Sequence, residues 1–178
     1  MKNSIALIGF MGTGKTAAGR RLAAKLGKEF IELDALIEKE AGRPIPEIFR
    51  RDGEVAFREL EIAAVKEVAG RANAVIACGG GVVLNTINID RLREGCVIVC
   101  LTASPVVVLR RTSGDGGGRP LLAVTDRLRQ IRGLMKSRRP LYERAADITV
   151  DTSRLSTGAV TASIIEKLVD YESKAGKE

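Results

Sequence analysis

Histidine and tryptophan are absent from this 178-residue chain, aromatic residues make up only 3% of it, and cysteine occurs three times. Without histidine, any general base acting near neutral pH must be a carboxylate, Lys, Cys or Tyr. So few aromatics exclude a platform on which nucleic-acid bases could stack, although the net charge is +7. The arginines are also scattered, so the cationic surplus better suits an enzyme that handles several phosphates and an anionic substrate. No apolar stretch approaches the length of a membrane span, which excludes a membrane partner. Met1-Lys2-Asn3 leads directly into an apolar run, and the reading expects no signal or transit peptide. Cys78, Cys96 and Cys100 are odd in number, lie in or beside apolar runs and lack the paired spacing of a zinc site. They read as reduced core thiols of a cytoplasmic protein. Apolar residues at 45% and charged residues at 29% are ordinary for a globular chain, taken here as one domain over 1–178.

Against these absences stands one complete motif. Residues 9–16 are Gly-Phe-Met-Gly-Thr-Gly-Lys-Thr, matching G-x-x-x-x-G-K-[ST]. Ile5–Ile8 before it suits a buried strand, and Ala17, Ala18, Leu22, Ala23 and Leu26 after it recur at helical spacing up to Gly27. Strand, glycine loop and helix is the arrangement in which backbone N–H groups and a helix N-terminus hold phosphates. Gly12, Thr13, Gly14 and Ala17 are expected to contact them, with the Lys15 ammonium on the β- and γ-phosphates. The Thr16 hydroxyl is expected to ligate Mg²⁺. The chain is expected to bind ATP or a similar triphosphate.

Short apolar runs predict strands at Ser4–Ile8, Phe30–Leu33, Val75–Cys78, Val97–Leu101 and Ile148–Val150, with helical patterns between them. That alternation predicts an α/β fold, a five-stranded parallel sheet flanked by helices on both faces. Pro44-Ile45-Pro46 opens a short helix to Arg51, and a second helix is expected over Val55–Ala69. Gly79-Gly80-Gly81 follows the third strand, a glycine-rich stretch covers 113–118, and the tail from Ser173 reads as disordered. Ligands of such sheets sit beyond the strands' carboxyl ends.

Asp34 is placed at the end of the second strand, with Glu32 two residues earlier. It could merely cap the following helix; beside a phosphate loop, and with no histidine, it is the better candidate to orient a hydroxyl and take its proton. Arg58 and Glu61, three apart on a helix, could be an ordinary surface pair of about 0.3–0.5 kcal/mol. Alternatively Glu61 could hold the guanidinium for bidentate capture of a carboxylate. The triple glycine suggests close approach of backbone to ligand. Arg119, after the glycine-rich stretch, suggests a lid over about 112–124 carrying an arginine finger, although such stretches also serve as plain linkers. Arg138 has Arg129, Arg132 and Arg139 nearby, and the pattern does not single one out.

Together these segments resemble the shikimate kinases, small relatives of the nucleoside monophosphate kinases. The resemblance runs over the phosphate loop, Asp34 to Glu38, Phe57-Arg58 with Glu61, Gly79 to Val83, Arg119-Pro-Leu-Leu and Arg138-Arg-Pro-Leu-Tyr142. It implies a P-loop three-layer sandwich with a mobile lid, a monomer that uses ATP and one Mg²⁺ to phosphorylate the 3-hydroxyl of shikimate. It implies that Asp34 binds the substrate hydroxyls as base, within a shikimate-binding region of about 34–61. Arg58 and Arg138 would take the carboxylate, Gly80 and Gly81 would add backbone contacts, and Phe49 and Phe57 would line the pocket. Arg119 would act from the lid, and Arg111 and Arg154 would contact the adenine. Glu32 stands where the family usually has Asp, which with Asp34 holds Mg²⁺ through water. The lid is glycine-rich and one residue longer than common. Two rivals remain open: a kinase of gluconate or of a nucleoside monophosphate on the same scaffold, and a nucleotide-dependent module binding protein or RNA.

Overall fold

A computed structural model describes residues 2–113 and 126–175 of the chain. Five strands form one sheet: β1 (Ser4–Ile8), β2 (Glu29–Glu32), β3 (Ala74–Ala77), β4 (Cys96–Thr102) and β5 (Ile148–Asp151). All pairs are parallel, in the order β2-β3-β1-β4-β5. Every predicted strand is present, β1 with the same ends and the others with ends moved by at most one residue. The helices are α1 (Lys15–Leu26), α2 (Leu33–Ala41), α3 (Ile45–Ala69), α4 (Thr86–Gly95), α5 (Pro105–Thr112), α6 (Arg127–Ala145) and α7 (Thr157–Ala175).

The period-two alternation of a strand explains the three layers. Ala6, Ile8, Ile76, Ile98 and Cys100 point to one face and join Leu33, Ile37, Ile48, Val65, Leu92, Val108 and Ile131 from α2 to α6. Leu7, Val75, Val97, Val99 and Leu101 point to the other and meet Leu22 of α1 and Ile164 of α7. Central strands buried on both sides read as continuous apolar runs, which is why β1, β3 and β4 were easy to place. Truncating a fully buried residue such as Ile98 to Ala is expected to cost about 2–5 kcal/mol. β5, at the sheet edge, buries only Ile148 and Val150.

Two expectations need correction. The second strand ends at Glu32, and Asp34 sits in the first turn of α2, because Leu33 and Ile37 share one buried helical face. The two helices expected over 45–51 and 55–69 are both present as the halves of α3, parted by the non-helical Gly53, where φ is 82°. The helix at the C-terminal end continues through Ser173, whose hydroxyl donates to Val169 O at 2.8 Å. The three cysteines are buried and free; burial pushes the thiols of Cys96 and Cys100 up to about 11, and that of Cys78 up as well. They are inert at neutral pH. Among the described residues no helix is long and apolar enough to cross a membrane.

Candidate active site

The loop between β1 and α1 turns through glycines that other residues could not replace. Gly12 (φ 75°) and Gly14 (φ 93°) adopt left-handed conformations, and Gly14 is the residue from which α1 starts. Lys15 Nζ donates to the carbonyls of Gly9 (2.8 Å) and Phe10 (3.0 Å), so its ammonium is held against the loop's own backbone. Thr16 Oγ1 donates to Glu32 Oε1 at 2.7 Å, and Arg20 Nη2 donates to Glu32 Oε2 at 2.9 Å. Gly12, Gly14, Lys15, Thr16, Ala17 and Arg111 border a cavity of about 320 Å³ above the loop.

A second cavity of about 400 Å³ lies beside it, bordered by Phe49, Phe57, Arg58, Glu61, Gly81 and Arg138. Met11, Glu32, Asp34, Gly79 and Gly80 line both. Asp34 is therefore on the shared wall. Its Oδ1 is buried with no hydrogen-bond partner, and burial raises its pKa above the ordinary carboxylate value, against the pull of Lys15. A partly desolvated carboxylate on the wall of both cavities, with a raised pKa, is poised to accept a proton.

The second cavity carries its charge inward. Arg58 is only 14% exposed; its Nη1 donates to Glu61 Oε2 at 2.9 Å, and its Nη2 donates to Glu54 Oε1 at 3.0 Å. Glu61 is fully buried, and desolvation raises its pKa although Arg58 draws it down. The pair is not a surface ornament. Arg138 is 6% exposed with its guanidinium 5.9 Å from the centre of the Phe10 ring, whereas Arg129, Arg132 and Arg139 are exposed. Burial thus distinguishes the one arginine that the local pattern left among several. Phe49 and Phe57 stack with centroids 4.7 Å apart.

The triple glycine also has a reason within the fold. None of its members has positive φ. A methyl on Gly79 would lie 2.8 Å from Asp34 Oδ1 and 3.1 Å from Glu61 Oε1, and one on Gly81 would lie 2.6 Å from Arg58 Cζ. Gly79 and Gly81 make room for the charged side chains, and Gly80 lies against the phosphate-loop backbone, where a methyl would stand 3.2 Å from Met11 N. Sequence reasoning missed Glu54, whose only signal was its i, i+4 spacing before Arg58. Tyr142, quoted only as the end of the Arg138–Tyr142 segment, was given no role; its hydroxyl donates to Gly80 O.

Arg111 borders the phosphate cavity, while Arg154 stands exposed in the turn after β5, outside the lining of both cavities. Arg119 and most of the expected lid lie outside the described residues. As donors for Mg²⁺, the Thr16 hydroxyl and the carboxylates of Glu32 and Asp34 meet at the phosphate cavity. Among the described residues no cluster of three or more His, Cys, Asp or Glu forms a metal cage. One hydroxyl and two carboxylates suit Mg²⁺, which usually keeps waters and takes its remaining ligands from substrate phosphates.

A glycine loop ending in Lys-Thr at a helix N-terminus, joined to an arginine-lined cavity across a free carboxylate, defines a P-loop kinase of small molecules. Residues 11–169 match the family described as shikimate kinase. A shikimate kinase of Pelotomaculum thermopropionicum is 46% identical over 96% of this chain and 98% of its own length. One from Caldanaerobacter subterraneus is 47% identical over 98% of this chain and all of its own. The structure of the shikimate kinase from Acinetobacter baumannii in complex with shikimate superposes with a TM-score of 0.91, at 36% identity, over 94% of this chain and 93% of that one. The chain belongs to the shikimate kinase family.

Proposed function

We propose that the chain transfers the γ-phosphoryl group of ATP to the 3-hydroxyl of shikimate, giving shikimate 3-phosphate and ADP on the way to aromatic amino acids. The observation that carries the reading is Asp34, a largely buried carboxylate that lines both the phosphate cavity and the arginine-lined cavity. ATP takes the first cavity, with its phosphates on the loop amides, Lys15 and Thr16. Arg111, Arg119 and Arg154 are assigned to the nucleotide side. Shikimate takes the second, with its carboxylate on Arg58 and Arg138, its ring against Phe49 and Phe57, and backbone contacts from Gly80 and Gly81. Glu61 keeps Arg58 in place.

The substrate hydroxyl oxygen attacks the γ-phosphorus, the bond to the β,γ-bridging oxygen breaks, and the hydroxyl proton passes to Asp34. Little covalent chemistry is asked of the protein; positioning and charge stabilisation supply the rate. Lys15, the loop N–H groups and Arg119 face the charge that spreads over the phosphoryl oxygens. Mg²⁺ would be held by Thr16, Glu32 and Asp34 and would supply further positive charge at those oxygens. The longer side chain of Glu32 keeps the charge of the Asp usual there and already reaches Thr16 Oγ1. The chain acts as one domain, a cytoplasmic monomer. A coupled assay of ADP release tests the reading: release should depend on shikimate. Release with gluconate or a nucleoside monophosphate in its place, or release unaffected by any acceptor, would overturn it.

A further inference from the structure

Thr152, the first residue after β5, is 2% exposed and sits at a junction of four elements. Its N–H donates to Thr102 O of β4 at 2.8 Å. Its hydroxyl oxygen lies 3.0 Å from Thr13 O in the phosphate loop and 3.0 Å from Thr102 O, and it accepts from Arg111 Nη1 of α5 at 3.0 Å. Its carbonyl accepts from Arg111 Nη2 at 2.8 Å. Arg111 Nη1 also donates to Gly12 O at 3.2 Å. Two successive carbonyls of the phosphate loop, those of Gly12 and Thr13, are thereby held by groups from outside the loop.

A hydroxyl has one proton to give. Thr13 O and Thr102 O both lie within its reach, and since Thr102 O already has the Thr152 N–H, donation to Thr13 O is the arrangement that satisfies both carbonyls. In a trans peptide the C=O and the following N–H point to opposite sides. Fixing the Thr13 carbonyl therefore fixes the direction of the Gly14 N–H, at the residue from which α1 begins. Gly14, with φ of 93° and open space where a side chain would stand, adds no steric restraint of its own to that peptide.

We infer that Thr152, acting with Arg111, is a positioning residue for the nucleotide phosphates: its hydroxyl orients the Thr13–Gly14 peptide so that the loop presents its N–H groups to the anion. The inference rests on the loop's holding ATP and adds nothing to the choice of acceptor. The substitution Thr152→Val keeps the shape and removes the hydroxyl; Thr152→Ser keeps the hydroxyl. Steady-state rates with ATP and shikimate varied separately, and calorimetric binding of MgADP without shikimate, read the effect. Thr152→Val should raise the KM for ATP and weaken MgADP by about ten-fold, the effect of one buried hydrogen bond lost. The KM for shikimate should stay within about two-fold, and Thr152→Ser should restore nucleotide binding. Unchanged MgADP affinity in Thr152→Val, equal losses for both substrates, or failure of serine to rescue would overturn the inference. If Thr152→Val does not fold, Thr152→Ala provides the same readout, with the same ATP-selective loss expected and its absence contradicting the role. MgADP binding is measured without any acceptor, so failure of shikimate turnover in the parent enzyme would count against the proposed function and leave this test standing.

Discussion

The two cavities that meet at Asp34 are built by opposite means. The phosphate side is mostly backbone: one contiguous stretch, 9–17, turns through glycines and delivers its N–H groups at the start of α1. The acid side is mostly side chain: Asp34, Arg58, Glu61 and Arg138 come from three helices, and Gly79 and Gly81 leave space for the first three. A backbone site recognises what all triphosphates share. A side-chain site, buried and charge-paired, can distinguish one small acid from another, and its cost is desolvation of Glu61 and Asp34. The division explains how one scaffold can keep its nucleotide and change its acceptor.

Substitutions that separate the two sides sharpen the contrast. Lys15→Ala should lower kcat by roughly 10²–10³-fold or more with the fold retained by circular dichroism; near-normal turnover would remove the loop from the chemistry. Arg58→Ala should weaken shikimate by ~2–5 kcal/mol in a binding titration and leave the KM for ATP alone, since the guanidinium is largely buried against Glu61. A loss shared by both substrates would mean that the sides are not separable. Gly81→Ala forces a methyl onto Arg58 Cζ, and shikimate affinity should fall by about 1–3 kcal/mol with kcat less affected. An affinity equal to the parent's would show that Arg58 can give way without consequence.

The smallest effect is one of pH on stability. Burial raises the Glu61 carboxyl above its ordinary value of 4.5, and Arg58 offsets only part of the rise. A carboxyl whose pKa is raised on folding adds stability below its unfolded pKa and loses it as the pH climbs through the folded one. The stability of the parent relative to Glu61→Gln, from urea unfolding, should therefore decline from about pH 4 towards neutrality. A difference that is flat or grows with pH would place Glu61 in a site that favours its charge.

How far each side could be read from the chain follows the same division. The phosphate loop was complete in the sequence because its function is local; so was the parallel sheet, since β3 is apolar throughout and β1 and β4 are apolar but for Ser4 and Thr102 at their ends. Asp34 was placed correctly in sequence but on the wrong element. Phe30 to Ile37 mixes apolar residues in a way that suits both a strand end and a helix start, and only the packing of Leu33 and Ile37 decides. Arg58 with Glu61 left two readings, which burial separates. Arg138 was indistinguishable from its neighbours because α6 is rich in arginine and a helix shows its buried side only once it is packed. Thr152 gave no sign at all: its partners are at positions 13, 102 and 111, brought together by the sheet order alone.

The claim that joins both sides is that Asp34 works where the two cavities meet. Asp34→Asn keeps the shape and removes the base, so single-turnover transfer from ATP to shikimate is the direct measurement. The expected result is a rate lowered by about 10²–10⁴-fold while both substrates still bind in titrations. Transfer at the parent rate, with both substrates bound, would contradict it.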